Sequence, residues 1–428
     1  MQSEILLIIP FALLLLLIAL GPIFFSEFWE KYHPYISVGL AILIAGYYLI
    51  INQNPGIILH SLKEYLSFIL LLSALFVTSG GIHIDFLGEG NSKFNTVYLL
   101  FGAVLSNFIG TTGASIVLLR PFIRMNKNRI KPFHIVFYIF IVSNIGGAIT
   151  PIGDPPLFIG FLRGVPFFWT IENVWLIWTT AIALLLVIFY FIDRRSDDTN
   201  EHSLWSQIKS IELKGARNLL FLVAIILSVF LDSSVIPQIP NFSSYIVGIR
   251  EISFVIIIML ATKYSSKSVL LENGFNIAPM KEVAFLFIGI FITMIPALEI
   301  ISHVAARHGE SLNASSFYWG SGMLSSVLDN APTYLNFLTA AMGKFNLDVN
   351  SSKDVAYFAK SNGNYLLSIS VGCVFFGAMT YIGNGPNFMV KSISENLGIK
   401  MPSFFKYIYL YSLPILLPIF FIIWILFI

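Results

Sequence analysis

The chain has 428 residues, 57% of them hydrophobic and 11% charged, with a mean hydropathy of +0.82. Soluble domains carry about a quarter charged residues, so this balance excludes a soluble globular protein and requires a polytopic one with the lipid bilayer as its partner. A net charge of +2 gives no sign of a nucleic-acid partner, and a single cysteine, Cys373, excludes internal disulfides and cysteine metal clusters.

Residues 1–4 carry no basic side chain, so no cleavable signal peptide is expected. Apolar runs long enough to span predict membrane helices at 5–25, 35–51 and 65–82. After a polar turn at 83–93 comes the segment 94–124, interrupted by Ser106-Asn107-Phe108-Ile109-Gly110-Thr111-Thr112-Gly113-Ala114-Ser115. Each arm is too short to span, which predicts a re-entrant hairpin with a polar tip. A basic loop, 120–131, precedes the apolar segment 133–162. That segment is broken by Ser143-Asn144-Ile145-Gly146-Gly147-Ala148-Ile149-Thr150-Pro151-Ile152-Gly153-Asp154-Pro155-Pro156-Leu157-Phe158. Its prolines and glycines remove backbone donors and helix propensity where lipid offers no replacement partner. A full span at 174–192 and a charged linker at 193–217 follow.

The second part repeats the order. Spans are expected at 218–231, 245–262 and 283–301, then a hairpin at 315–342 around Ser325-Ser326-Val327-Leu328-Asp329-Asn330-Ala331-Pro332-Thr333. A broken span at 365–393, containing Gly377-Ala378-Met379-Thr380-Tyr381-Ile382-Gly383-Asn384-Gly385-Pro386-Asn387-Phe388, and a last span at 404–428 complete it. Ile152-Gly153-Asp154-Pro155-Pro156-Leu157-Phe158 aligns with Ile382-Gly383-Asn384-Gly385-Pro386-Asn387-Phe388, and Asn107 is set against Asn330. Matched breaks in two halves point to a transporter binding site. Each half crosses five times, an odd number, so the repeats are inverted: residues 1–192, the linker 193–217, and residues 218–428. The expected fold is an all-α polytopic membrane protein of two inverted repeats, each with a re-entrant hairpin and a broken transmembrane helix. With both termini outside, 18 of the 25 Lys and Arg fall inside, including the basic loop and the linker, as the positive-inside rule requires. The expected location is a plasma membrane, of the bacterial inner-membrane kind.

Asp154 stands where a carboxylate is costly unless it is paired or works. An N-cap role before Pro155 is the simple alternative; the functional reading is a ligand for Na⁺ or Li⁺ that also exchanges H⁺. Asp329 and Asn330 invite the same comparison, because adjacent Asp and Asn favour turns. Asn107, Thr111 and Thr112 at the first tip, Thr333 at the second, and Asn144 and Asn384 in the breaks supply hard neutral oxygens suited to Na⁺. Glu299 is read as snorkelling or pairing with Arg307, and Arg120 as an interface anchor. No HExxH, nucleophile elbow or His-Cys cluster is present, so no enzyme activity and no resident cofactor are expected.

These residues resemble the ion transporter superfamily over nearly the whole chain. Ser143-Asn144-Ile145-Gly146-Gly147-Ala148 with Pro151-Ile152-Gly153-Asp154 looks like the first break of NhaD-type sodium/proton antiporters. Leu328-Asp329-Asn330-Ala331-Pro332 looks like the second hairpin tip of antiporters and arsenite pumps, and related citrate transporters share the plan. After Asp154 this chain has Pro-Pro where the NhaD pattern has a small residue and threonines. Its tips read Ser-Asn-Phe and Asp-Asn-Ala where dicarboxylate relatives carry Ser-Asn-Thr. The resemblance implies cation/proton antiport, with Asp154 and Asp329 alternating between Na⁺ (or Li⁺) and H⁺. The alternative is Na⁺-coupled uptake of a citrate-like carboxylate, held with Na⁺ by Asn107, Thr111, Asn330 and Thr333; export of a neutral oxyanion ranks third. Relatives also imply a homodimer.

Overall fold

A helix that is apolar on every side must lie in lipid or inside the protein. Both kinds occur in this computed structural model, which describes residues 6–196, 210–231 and 247–428. Residues 197–209 of the expected linker, residue 5 of the first expected span and residues 245–246 of another lie outside the described residues. Among the described residues, six helices are long and apolar enough to cross a membrane, with a seventh candidate in a bent pair. The chain is therefore a multi-pass, all-α membrane protein. The most enclosed helix is Pro132–Ile141, buried without interruption from His134 to Ile141. Leu410, Leu413, Phe421 and Ile425 of the last helical run are exposed, as lipid-facing side chains would be.

One of the six, Ser92–Met125, is not straight. Gly110 breaks it with φ 75° and ψ 155°, a conformation that favours glycine. The arms then pack together: Tyr98 donates its hydroxyl to Leu118 O at 2.7 Å, and Asn95 and Asn126 exchange amide bonds at 2.8 and 2.9 Å. In a straight helix those two asparagines would stand roughly 46 Å apart. The segment is a helical hairpin with its tip at Gly110. Ala314–Ser325 and Asn330–Lys344 form a second, with Phe317 and Phe337 rings 6.3 Å apart across the arms.

Several boundaries differ from expectation. Residues 26–34, expected outside a span, are helical within Ser26–Gly46, which follows Ile9–Phe24 after the single non-helical residue Phe25. Gly21 permits the close turn, since a Cβ there would meet the Trp29 ring at 2.8 Å. The span expected at 283–301 is two helices, Ala278–Thr293 and Ile295–His308, bent by 45° where Pro296 cannot supply a backbone donor. Around Pro414 the last run widens into a π-helix, Ile408–Leu416, which relieves the missing bond. The helix Ser352–Ser361 and a two-stranded antiparallel ribbon, His83–Leu87 with Ser210–Lys214, were not expected. Asn273 fastens the ribbon's approach, donating to Gly80 O and Ile82 O.

Candidate functional site at two helix breaks

The first break begins where Pro132–Ile141 ends. A short 3₁₀ turn, Ile145–Ile149, leads through extended Thr150 to the helix Pro155–Arg163. Its freed backbone groups find partners on the first hairpin tip, as burial demands. Asn107 donates to Gly146 O at 2.6 Å and accepts from Ile149 N at 2.9 Å. Thr150 donates to Asn107 O at 2.6 Å and accepts from Gly153 N, while Thr111 N bonds Gly153 O at 2.8 Å. Trp178 reaches Gly146 O from the helix Phe167–Arg195. A Cβ on Gly153 would lie 2.1 Å from Gly147 O, so this approach requires glycine.

The second break, between Gly363–Phe376 and Gly385–Asn396, uses the same devices. Thr380 donates to Ser326 O at 2.6 Å and accepts from Gly383 N at 3.1 Å. Asn387 donates to Gly377 O and Thr380 O. Ser106 bonds Val142 O, and Ser325 bonds Cys373 O. These bonds correct the pairing of tips expected from sequence. Ser106 corresponds to Ser325 and Asn107 to Ser326, because each pair bonds the break beside its own tip, and the same spacing sets Thr111 against Asn330, although both of these side chains reach Asp154. Asn107 is not the counterpart of Asn330.

Asp154 lies where the four pieces meet. It occupies the N-cap position of Pro155–Arg163 yet makes no side-chain cap bond. Its Oδ1 accepts from Thr111 Oγ1 at 2.9 Å and Asn384 Nδ2 at 3.0 Å, and its Oδ2 accepts from Asn330 Nδ2 at 2.7 Å. The carboxylate is 1% exposed, and among the described residues no Lys, Arg or His pairs with it. Thr111 belongs to the first tip, Asn330 to the second and Asn384 to the second break. Asn384 likewise stands at an N-cap without capping, and also donates to Ser143 O at 3.2 Å. Asn144 donates to Ile139 O and, at 2.6 Å, to Asn387 Oδ1.

Of the residues singled out by sequence, Thr111, Asp154, Asn330 and Asn384 thus form one buried polar cluster, Asn144 adjoins it at Gly377, and Asn107 braces the backbone of the first break. The remaining three make no hydrogen bond to Asp154, although Asp329 lies close enough for the two carboxylates to act on each other. Asp329 caps Asn330–Lys344, accepting from Ala331 N at 2.9 Å; Thr333 turns its hydroxyl to Asp329 O; and Thr112 lies half-buried beside Thr111. Asn387 was missed as a site residue. Its signal was an amide just inside the helix after Pro386, in a stretch otherwise matched to Leu157. Glu299, read from sequence as snorkelling or pairing with Arg307, accepts from Tyr48 Oη at 2.7 Å, and Arg120 packs its guanidinium under Gly274.

The fold and the cluster define a class, a multi-pass membrane protein whose polar centre is carried by two broken helices and two hairpin tips. A family model described as "Putative citrate transport" matches residues 1–428, so the chain belongs to that family. The match supports the citrate-transporter side of the resemblance and not the NhaD-type antiporters in particular. Comparison with curated proteins gives no match.

Proposed function

We propose that the protein is a secondary active transporter in which Asp154 is the coupling-ion site and a small carboxylate is the cargo. The observation that carries the first half is the carboxylate's setting: buried, uncapping, and held by three neutral donors from three other elements. A group so placed exchanges one small cation, H⁺ or Na⁺, for another without losing its fold. The family match supports the carboxylate. The recurrence of the same tip-to-break bonds in both parts supports two inverted repeats, 1–192 and 218–428, joined by the linker 193–217 and crossing an odd number of times each. In that arrangement both hairpins are re-entrant, and binding and release alternate around a site fixed near the membrane midplane.

A second reading, Na⁺ or Li⁺ against H⁺, is favoured by the absence of a cationic side chain at Asp154 among the described residues, since a bare multivalent anion there would face a like charge. Proteoliposomes separate the two. Labelled citrate and succinate uptake under an imposed Na⁺ or H⁺ gradient supports carboxylate transport. Proton movement driven by Na⁺ or Li⁺ alone, with no carboxylate uptake, supports the exchanger.

A further inference from the structure

Two amide oxygens in and beside the cluster have no hydrogen-bond partner, although both side chains are at most 1% exposed: Asn144 Oδ1 and Asn330 Oδ1. Their orientation is forced. Asn387 gives both its protons to Gly377 O and Thr380 O, which leaves its Oδ1 facing Asn144. Asn144 must meet that oxygen, and Ile139 O, with its Nδ2. Asn330 must likewise meet the Asp154 carboxylate with Nδ2, because turning the amide over would set oxygen against oxygen. A Cβ built on Gly377 would lie 3.2 Å from Asn144 Oδ1 and 3.6 Å from Asn330 Nδ2, so both amides border the same point beside Gly377, and the same Asn330 nitrogen ties that point to Asp154 Oδ2 at 2.7 Å.

Carbonyl oxygens left unpaired in a low-dielectric interior are costly, and a hard cation removes that cost. We propose that Asp154, Asn144 Oδ1 and Asn330 Oδ1 hold one monovalent cation of the Na⁺ or Li⁺ class, shared by the two halves of the chain and without a twin at the second break. The inference rests on the reading of Asp154 as the coupling-ion site. The three ligands carry one negative charge between them, which one monovalent cation neutralises; the neighbouring Asp329 carboxylate is engaged with the Ala331 backbone and supplies no ligand. The missing twin follows from the register already given, in which Gly147, Thr150 and Gly153 correspond to Gly377, Thr380 and Gly383. By that register Asn144 corresponds to Val374, which offers no side-chain oxygen, and Asp154 to Asn384, which offers no charge. Asn330 corresponds to Thr111, whose hydroxyl is given to Asp154. One such cation therefore binds per chain.

The test is equilibrium binding of ²²Na⁺ to the purified full chain, wild type against Asn144→Val and Gly377→Ala. Asn144→Val places at the first break the residue that stands at the second. Gly377→Ala removes no donor or acceptor of the cluster; its methyl would press on Asn144 Oδ1 at 3.2 Å and meet the nearest backbone oxygen, Gly383 O, at 3.4 Å. It therefore decides the outcome should Asn144→Val fail to fold. Wild type is expected to bind one Na⁺ per chain, and each variant to raise the half-saturating Na⁺ concentration about tenfold or more. Two Na⁺ per chain, or unchanged affinity in Gly377→Ala, overturns the proposal. Wild type that binds no Na⁺ while Asp154→Asn still abolishes coupled transport overturns this inference alone. Normal coupled transport by Asp154→Asn overturns the function on which it rests.

Discussion

Among the described residues two aspartates occupy helix N-cap positions, and only one of them caps. Asp329 bonds the backbone of Ala331, whereas Asp154 gives both oxygens to side chains from distant parts of the chain. Asn is as good an N-cap as Asp, so Asp329→Asn is expected to leave transport and thermal unfolding near wild type, while Asp329→Ala costs about 0.5–2 kcal/mol. Asp154→Asn is expected to unfold at a similar temperature but to lose gradient-driven uptake, because Asn keeps the shape and carries no exchangeable charge. Uptake in proteoliposomes together with fluorescence-detected melting checks both variants. Sequence singled out the two aspartates alike because each sits in an interruption flanked by prolines. What separates them is where the side chain turns, and that depends on Thr111, Asn330 and Asn384. Asn387 was harder still to see, since its partner Asn144 lies 243 residues away.

The breaks are stable elements because the hairpin tips complete them. Removing the Asn107 amide takes the side-chain acceptor from Ile149 N, at about 1–3 kcal/mol, while Gly146 O keeps its bond from Trp178. Asn107→Ala should therefore lower the melting temperature markedly, and a variant that melts like wild type would show that the tip does not hold the break. The hairpin is tested by a cysteine pair, Asn95→Cys with Asn126→Cys in a Cys373→Ser background. Mild oxidation is expected to close an intramolecular disulfide, whereas a straight helix would hold the two sulfurs roughly 46 Å apart. That the segment folds back was legible from arm length and the Gly-Thr-Thr-Gly run. The correspondence of the two tips was not. Matching asparagine to asparagine set Asn107 against Asn330, while the hydrogen bonds set Asn107 against Ser326, because backbone contact with the break defines the role and different side chains meet it. Proline marked the bend before Pro296, but its 45° depends on packing that no local pattern carries.

Across the whole molecule, the proposed inverted repeat would place the linker and the termini on opposite sides, and the uneven placement of Lys and Arg leads us to expect the linker inside. In a Cys373→Ser background, single cysteines at Ser196 and Ser210, which flank the linker's undescribed centre, are expected to react with a membrane-impermeant thiol reagent only after the membrane is opened. Labelling of intact cells would reverse the orientation. The multi-pass class was readable from composition alone, because a chain 57% hydrophobic has no soluble solution. The convergence of four separate segments on one carboxylate was readable only as matched interruptions, since the closing contacts span more than 170 residues of chain. The most direct test of Asp154 as the coupling-ion site follows ²²Na⁺ uptake and internal pH in one proteoliposome preparation, wild type beside Asp154→Asn. With citrate or succinate supplied outside, wild type is expected to move cations in step with an imposed Na⁺ or H⁺ gradient, and Asp154→Asn, equally folded by its melting curve, to show neither signal. Wild-type flux in Asp154→Asn would contradict the account.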